Sequence, residues 1–309
     1  MKREILLKEI FEIIIRTEKH GVLYHPASVE VILKDSRLKF GLNVAVSDTG
    51  RHWLKEEFGV LLKLYSKFAL PYLPKVYGYG ELNAMSFLLE EWFEGYHEFH
   101  ISRDEENKQH LKLWDFDHGY KYLSPEQSFE IYKKASQILT LYYDLEDFSQ
   151  ILAWHHAAGD FVTKIEDNKI DVRLTTARKY EPFIGFADSN ALNPILALCY
   201  FFLNLTIRMR LDKLDGLEEV VWADDTCIDA TLIGFFEALQ TKENLKTYLN
   251  LPEAEDFLSL LQSFTQEELK TIIISLIDQY RDTSDYPVII SNIDKHIDKL
   301  SITLQNLTL

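Results

Sequence analysis

The run from Ile195 to Ile207, ILALCYFFLNLTI, constrains this chain more than any other stretch. It is too apolar to lie against water along its length, and shorter than the ~20 residues a bilayer-spanning helix needs. Asn204 and Thr206 interrupt it, and Arg208 and Arg210 follow at once. Such a segment is a helix enclosed by protein, so its neighbours must wrap it with amphipathic elements. With 47% apolar residues among 309, the chain has enough of them for a sizeable interior. At this length one large domain or two packed lobes is expected.

Lys and Arg number 33 against 49 Asp and Glu, a net charge of −16. That balance argues against nucleic acid and against an anionic membrane as partners, leaving a small molecule or another protein. Cys199 and Cys227 are the two cysteines, too few for a disulfide framework or a four-cysteine metal site. A cytoplasmic location is expected. The opening segment MKREILLKEIFEIIIRTEKHG starts basic, but Lys8, Glu9 and Glu12 break any signal-like core, and no anchor is expected. Leu6, Ile10, Ile13 and Ile14 instead predict an amphipathic helix ending near Gly21.

Further on, Val29 to Leu33 predicts a short strand. Phe40, Leu42, Val44 and Val46 alternate with smaller residues, as in a half-buried strand that Ser47 to Gly50 closes. From about Trp53 to Phe68, Leu54, Phe58, Leu61, Leu62, Tyr65 and Phe68 repeat at helical spacing. Glu57 falls on the flank of that stripe, where a carboxylate needs a partner. Residues 74–93 predict two strands about a turn at Leu82-Asn83-Ala84. The polar segment His97 to Tyr122, with its run Arg103-Asp104-Glu105-Glu106-Asn107-Lys108, predicts a loop-rich connection. The expected division is a strand-rich 1–96 and a helical 97–309. In that connection Asp115, Asp117 and His118 have metal-ligand chemistry, but such a trio is common by chance in polar loops, and no metal site is assigned.

Ser124-Pro125-Glu126-Gln127 has the form of a helix start: a serine cap, proline at the first helical position, and glutamine completing a capping box. A turn or short helix is expected around Phe148, Ile151 and Leu152. Phe161 to Ile165 and Ile170 to Thr175 flank Glu166-Asp167-Asn168-Lys169 as a hairpin. Helices are expected at about 194–210, 225–240, 253–262, 266–281 and 288–306. Thr265 with Glu268 and Asp224 or Asp225 serve as caps. Strands early and helices late give an α+β class.

The chemistry-bearing motif is His155-His156-Ala157-Ala158-Gly159-Asp160. Imidazole titrates near neutrality and suits proton transfer; Asp160 can orient one of the rings. His155, His156 and Asp160 are the catalytic candidates. Downstream, Lys164, Lys169, Arg173, Arg178 and Lys179 outnumber Glu166, Asp167 and Asp171, a reversal of sign that suits an anionic group.

The order of elements resembles the protein-kinase-like fold, in its aminoglycoside phosphotransferase and choline kinase branch. The resemblance spans about residues 29–240. It implies two lobes, with LPKVYGYGELNAMSFLLEEWFEGYHEF closing the first lobe and running into a hinge at Glu90-Glu91-Trp92. It makes Glu57, Glu90, Glu91, Trp92 and Arg178 the cofactor-binding candidates, with ATP and Mg²⁺ as the implied cofactor. The catalytic parts depart from the family. Ser47 stands where the strand lysine belongs, with Lys34 and Lys39 less well placed. His155 stands for the catalytic Asp, Asp160 for the metal-binding Asn, and Thr176 for the metal-binding Asp, with Arg178 nearby. The resemblance therefore implies a pseudoenzyme or an atypical small-molecule or nucleotide-binding protein. Two alternatives stand beside it. His-His-x-x-x-Asp is similar to the signature of chloramphenicol-acetyltransferase-like acyltransferases, which would make His156 a general base. The stripes Ile272, Ile273, Leu276, Ile277, Tyr280 and Ile293, Ile297, Leu300, Leu304 suit a helical interaction module.

Overall fold

A computed structural model describes residues 6–18, 21, 23–115, 118–152, 154, 160–167, 169–183, 193–217 and 219–309. The class is mixed α+β, with a strand-rich, antiparallel N-terminal half and a helical C-terminal half. The chain divides into two compact units, 1–95 with 176–179, and 96–175 with 180–309.

In the first unit β1 (Ile10–Thr17), β2 (His25–Leu33), β3 (Arg37–Ala45), β4 (Val76–Leu82) and β5 (Met85–Glu91) form one sheet, ordered β1-β2-β3-β5-β4. The N-terminal helix expected from the Leu6/Ile10 stripe is instead a strand. Ile13-Ile14-Ile15 is a run of β-branched side chains that favours extended backbone, and β2 lies alongside to pair with it. The β4–β5 turn falls at Asn83 and Ala84, both with positive φ (49° and 61°), as a two-residue hairpin turn requires. α1 (Asp48–Phe68) begins five residues before the expected start, because the Ser47 side chain caps it by accepting from the Gly50 N–H at 3.0 Å. Register pairs Gly41 with Glu90, Asn43 with Leu88 and Ala45 with Ser86. These six are buried or nearly so on the face against which α1 lays Leu54, Glu57, Leu61 and Leu64.

In the second unit β6 (His97–Arg103), β7 (Gln109–Asp115), β8 (Gly119–Tyr122), β10 (Phe161–Glu166) and β11 (Lys169–Leu174) form a sheet ordered β11-β10-β6-β7-β8. The loop-rich connection expected over 97–122 is therefore three strands. Phe99, Ile101, Leu111 and Leu113 are buried while charged and polar residues fill most of the positions between them. The acidic run is the β6–β7 turn, in which Asp104 Oδ1 accepts from the N–H groups of Glu106 and Lys108, each at 2.9 Å. The short helix expected near 148–152 is also a strand, β9 (Ser149–Leu152), which pairs with β12 (Lys179–Pro182). The hairpin expected about Glu166–Lys169 is present as β10 and β11. A further pair is β13 (Leu211–Lys213) with β14 (Val220–Trp222).

The helices are α2 (Pro125–Leu141), α3 (Pro194–Arg208), α4 (Thr226–Gln240), α5 (Leu245–Leu249), α6 (Ala254–Ser263), α7 (Gln266–Ile277) and α8 (Tyr286–Asn306). Both expected capping boxes form, at Ser124 with Gln127 and at Thr265 with Glu268. α3 is the enclosed helix its sequence demanded, with Leu198, Phe202, Leu203 and Ile207 fully buried. Phe202 and Phe235 rings lie 4.7 Å apart, with Phe236 and Phe257 around them. α2 and α4 cross closely at Gly234, where a Cβ would come 2.0 Å from the Lys133 carbonyl oxygen. Ile273, Leu276, Ile277, Tyr280, Ile293, Ile297, Leu300 and Leu304 are core residues, so the two late stripes are spent inside the unit. Among the described residues no helix is long and apolar enough to cross a membrane.

Candidate functional site

Three of the five cofactor-binding candidates, Glu57, Glu90 and Arg178, converge in the first unit around a carboxylate buried on α1. Glu57 is 1% exposed. Its Oε2 accepts from the Tyr24 hydroxyl, and its Oε1 accepts from the Thr176 hydroxyl and, at 3.3 Å, from the Ala177 N–H. Gly50 makes this possible. A Cβ there would lie 2.1 Å from the Leu23 carbonyl oxygen, so glycine lets the segment before β2 close onto the first turn of α1 and deliver Tyr24. Burial pushes the Glu57 carboxyl above its ordinary range, against the opposing pull of the Arg178 charge and the three hydrogen bonds.

Glu90, on the sheet face beneath α1, accepts from Asn43 Nδ2 at 2.9 Å; its Oε2 is buried with no partner among the described residues. Burial and the neighbouring Glu57 charge raise its carboxyl well above the usual range, with the Asn43 bond opposing. Two buried carboxyls thus lie in this unit, the Glu57 charge adding to burial in raising Glu90, and their hydrogen bonds go to protein groups rather than to an open anion or metal pocket.

The other candidates stand elsewhere. Glu91 Oε2 accepts from the Lys75 N–H at 3.2 Å, and Lys39 Nζ lies 4.3 Å from the Trp92 ring centre. Ser47, expected in the place of a lysine, is the cap of α1. Asp160 is buried, and its carbonyl accepts from the Thr175 N–H at 2.7 Å and from the Thr175 hydroxyl at 2.9 Å, closing the open end of the β10–β11 hairpin. His155 and His156 lie outside the described residues, as does Asp117 of the Asp115/Asp117/His118 trio. Among the described residues no group of His, Cys, Asp or Glu is arranged to hold a metal ion. In the basic hairpin Lys164 meets Glu166 at 2.8 Å and Arg173 meets Asp171 at 2.9 Å, so two of its charges are answered locally.

The second unit holds a pocket that the sequence did not reveal. It encloses about 150 Å³ and is lined by Ile101, Leu111 and Leu123 with His110, Tyr132 and Asp224. His110 Nε2 lies 2.9 Å from Asp104 Oδ2, an orienting carboxylate. A cavity of that volume takes a molecule of about benzene's size. The signal was hidden because His110 and Leu111 lie in the stretch that reads as loop. A smaller void of about 10 Å³, room for one water, lies against Gln150, Trp154 and Asn204.

A scan against protein-family models finds none that matches the chain, and a search of curated proteins finds no match.

Proposed function

We propose that the chain is a kinase-like pseudoenzyme, a protein built in the element order of the aminoglycoside phosphotransferase and choline kinase branch that binds a small molecule or nucleotide without transferring phosphate. Three antiparallel strands, a helix with an inward glutamate, and two further strands support the resemblance.

The observation that carries the reading is the commitment of Glu57. Phosphoryl transfer in kinases needs this helix glutamate to hold a strand lysine on the nucleotide phosphates. Here both oxygens of Glu57 are taken, by Tyr24 on one side and by Thr176 and Ala177 on the other. On β3 the inward positions are Gly41, Asn43 and Ala45, none of them a cation. The residues present do not fit Mg²⁺ either. A hard cation takes carboxylate oxygens, whereas Thr176 brings a hydroxyl whose hydrogen goes to Glu57.

The test is incubation of the purified chain with γ-labelled ATP, Mg²⁺ and aminoglycoside or choline acceptors, alongside thermal melts with the same nucleotide. The expected result is no label transfer and no hydrolysis. A ligand that binds at 100 times its dissociation constant stabilises by ~2.7 kcal/mol and is seen in the melt. Label transfer that Glu57→Gln abolishes refutes the reading.

A further inference from the structure

β1 is the outermost strand of the first unit's sheet, and among the described residues no strand pairs with its free edge. Proteins usually blunt such an edge with proline, lysine, a bulge or a very short strand. β1 runs for eight residues, IFEIIIRT, with neither proline nor lysine. Its one irregularity comes at the start, between Ile10 and Glu12, which leaves Glu12 to Thr17 regular. Phe11, Ile13 and Ile15 are 74%, 54% and 61% exposed. Ile13 lies opposite Val31 and Ile15 opposite Val29, with Leu38 and Phe40 beyond them on β3. An apolar sheet face thus runs out to the edge and stops there.

The strand is also its own complement. Glu12-Ile13-Ile14-Ile15-Arg16 paired antiparallel with itself about Ile14 sets Glu12 opposite the partner's Arg16, Ile13 opposite the partner's Ile15, and Ile14 opposite itself. One face then carries two Glu–Arg pairs flanking an isoleucine pair; the other carries four isoleucines side by side. Opposite charges and β-branched pairs directly across are what stabilise an antiparallel ladder. Moving the axis to Ile15 sets Glu12 against Glu18, and moving it to Ile13 sets Glu12 against Ile14, so charge selects one register. Arg16 already reaches Glu30 at 2.7 Å within its own chain while staying half exposed, which leaves it able to bridge to a second carboxylate.

We propose that two copies of this chain associate through β1, antiparallel about Ile14, to make one sheet of ten strands. The proposal is independent of the pseudoenzyme reading.

Three variants test it by light scattering and by oxidation. Wild type is expected at the mass of two chains, and Glu12→Arg, which faces the partner's Arg16 with a like charge, at the mass of one. Ile14→Cys is expected to cross-link under mild oxidant, since opposed residues in an antiparallel pair sit about 4.5–5.5 Å apart between Cα atoms, within disulfide reach. Cys199 and Cys227 are buried and do not compete. Leu62→Cys, on α1 and more exposed than Ile14, is the control and is expected not to cross-link. Should Glu12→Arg fail to fold, the cysteine pair still decides. A wild-type mass of one chain at every concentration overturns the proposal, as does a two-chain mass that folded Glu12→Arg leaves in place. So does Ile14→Cys cross-linking no faster than Leu62→Cys.

Discussion

Thr176 donates its hydroxyl hydrogen to Glu57, a residue 119 positions earlier in the chain. With Tyr24 on the other oxygen, the carboxylate ties α1 to two distant segments of the first unit. Glu57→Ala removes the acceptor and leaves two hydroxyls and one N–H facing an empty space. At ~1–3 kcal/mol for each unsatisfied buried group, a loss on the order of 3 kcal/mol is expected. Glu57→Gln keeps one acceptor oxygen and is expected to lose about 1–2 kcal/mol, because the Tyr24 hydroxyl then meets an amide N–H₂ or has to turn away. Urea midpoints measure both. A loss for Glu57→Ala no larger than for Glu56→Ala, on the exposed side of the same helix, refutes the account.

Glu90 gives a pH dependence with a definite sign. Its carboxyl is raised in the folded state by burial and by Glu57, so the folded chain holds a proton that the unfolded chain releases. The stabilisation from that proton is complete below the ordinary carboxyl range and is lost as pH rises through the folded value. Glu90→Gln mimics the protonated form and keeps an oxygen for Asn43. It is expected to match wild type in acid and to melt higher as pH rises, by ~2–4 °C for each kcal/mol recovered. Melting curves at pH 5 and pH 8 decide; a difference that does not grow with pH excludes the mechanism.

How far the sequence spoke depended on how local the determining interaction was. The α2 start was legible because Ser124, Pro125 and Gln127 satisfy one another within a single turn. α3 was legible because no surface could accept its side chains. Glu57 could be seen to need a partner, but Tyr24 and Thr176 could not be named, since only the close approach at Gly50 and the return of residues 176–179 bring them in. β1 misled because Leu6, Ile10, Ile13 and Ile14 fit a helical period, and β2, which decides the matter, lies further along the chain. β6 to β8 were missed for a different reason. The positions alternating with the apolar Phe99, Ile101, Leu111 and Leu113 carry so many polar and charged residues, Lys112 and Ser102 among them buried, that those four were outweighed, and with them went His110 and its pocket.

Lys112 is held in the second unit by Asp215 at 2.5 Å and by the rings of Trp114 and Tyr120, 4.4 and 4.8 Å from its nitrogen. Burial works against the Asp215 charge, but Lys112 and Ser102 keep that carboxyl below its usual range. Lys112→Met removes the ring contacts and strips Asp215 of its cation. Because Asp215 is about one-third exposed and partly screened, a loss of about 1–3 kcal/mol is expected. Asp215→Asn leaves the rings around the ammonium and is expected to cost less, about 1 kcal/mol. The order of the two chemical-denaturation midpoints is the check, and a reversed order removes the rings from the explanation.

His296 on α8 supplies the acid limit. It is fully buried, with Nε2 3.2 Å from the Thr206 hydroxyl oxygen and its ring edge-on to Trp222 at 5.7 Å. Burial, helped by the Arg210 charge, pushes its imidazole down to about 3 from the ordinary 6.5. Between those values the unfolded chain binds a proton that the folded chain does not. The contribution of His296 is therefore complete above pH 6.5 and is lost as pH falls toward about 3, at up to ~1.4 kcal/mol per pH unit. His296→Phe keeps a ring against Trp222 and removes the titration. Thr206 remains satisfied through its bond to the Leu203 carbonyl at 2.8 Å. The variant is expected within about 1 kcal/mol of wild type at pH 7 and more stable than wild type at pH 4. Denaturant titrations at the two pH values measure this. Equal losses in both proteins on acidification place the acid sensitivity elsewhere.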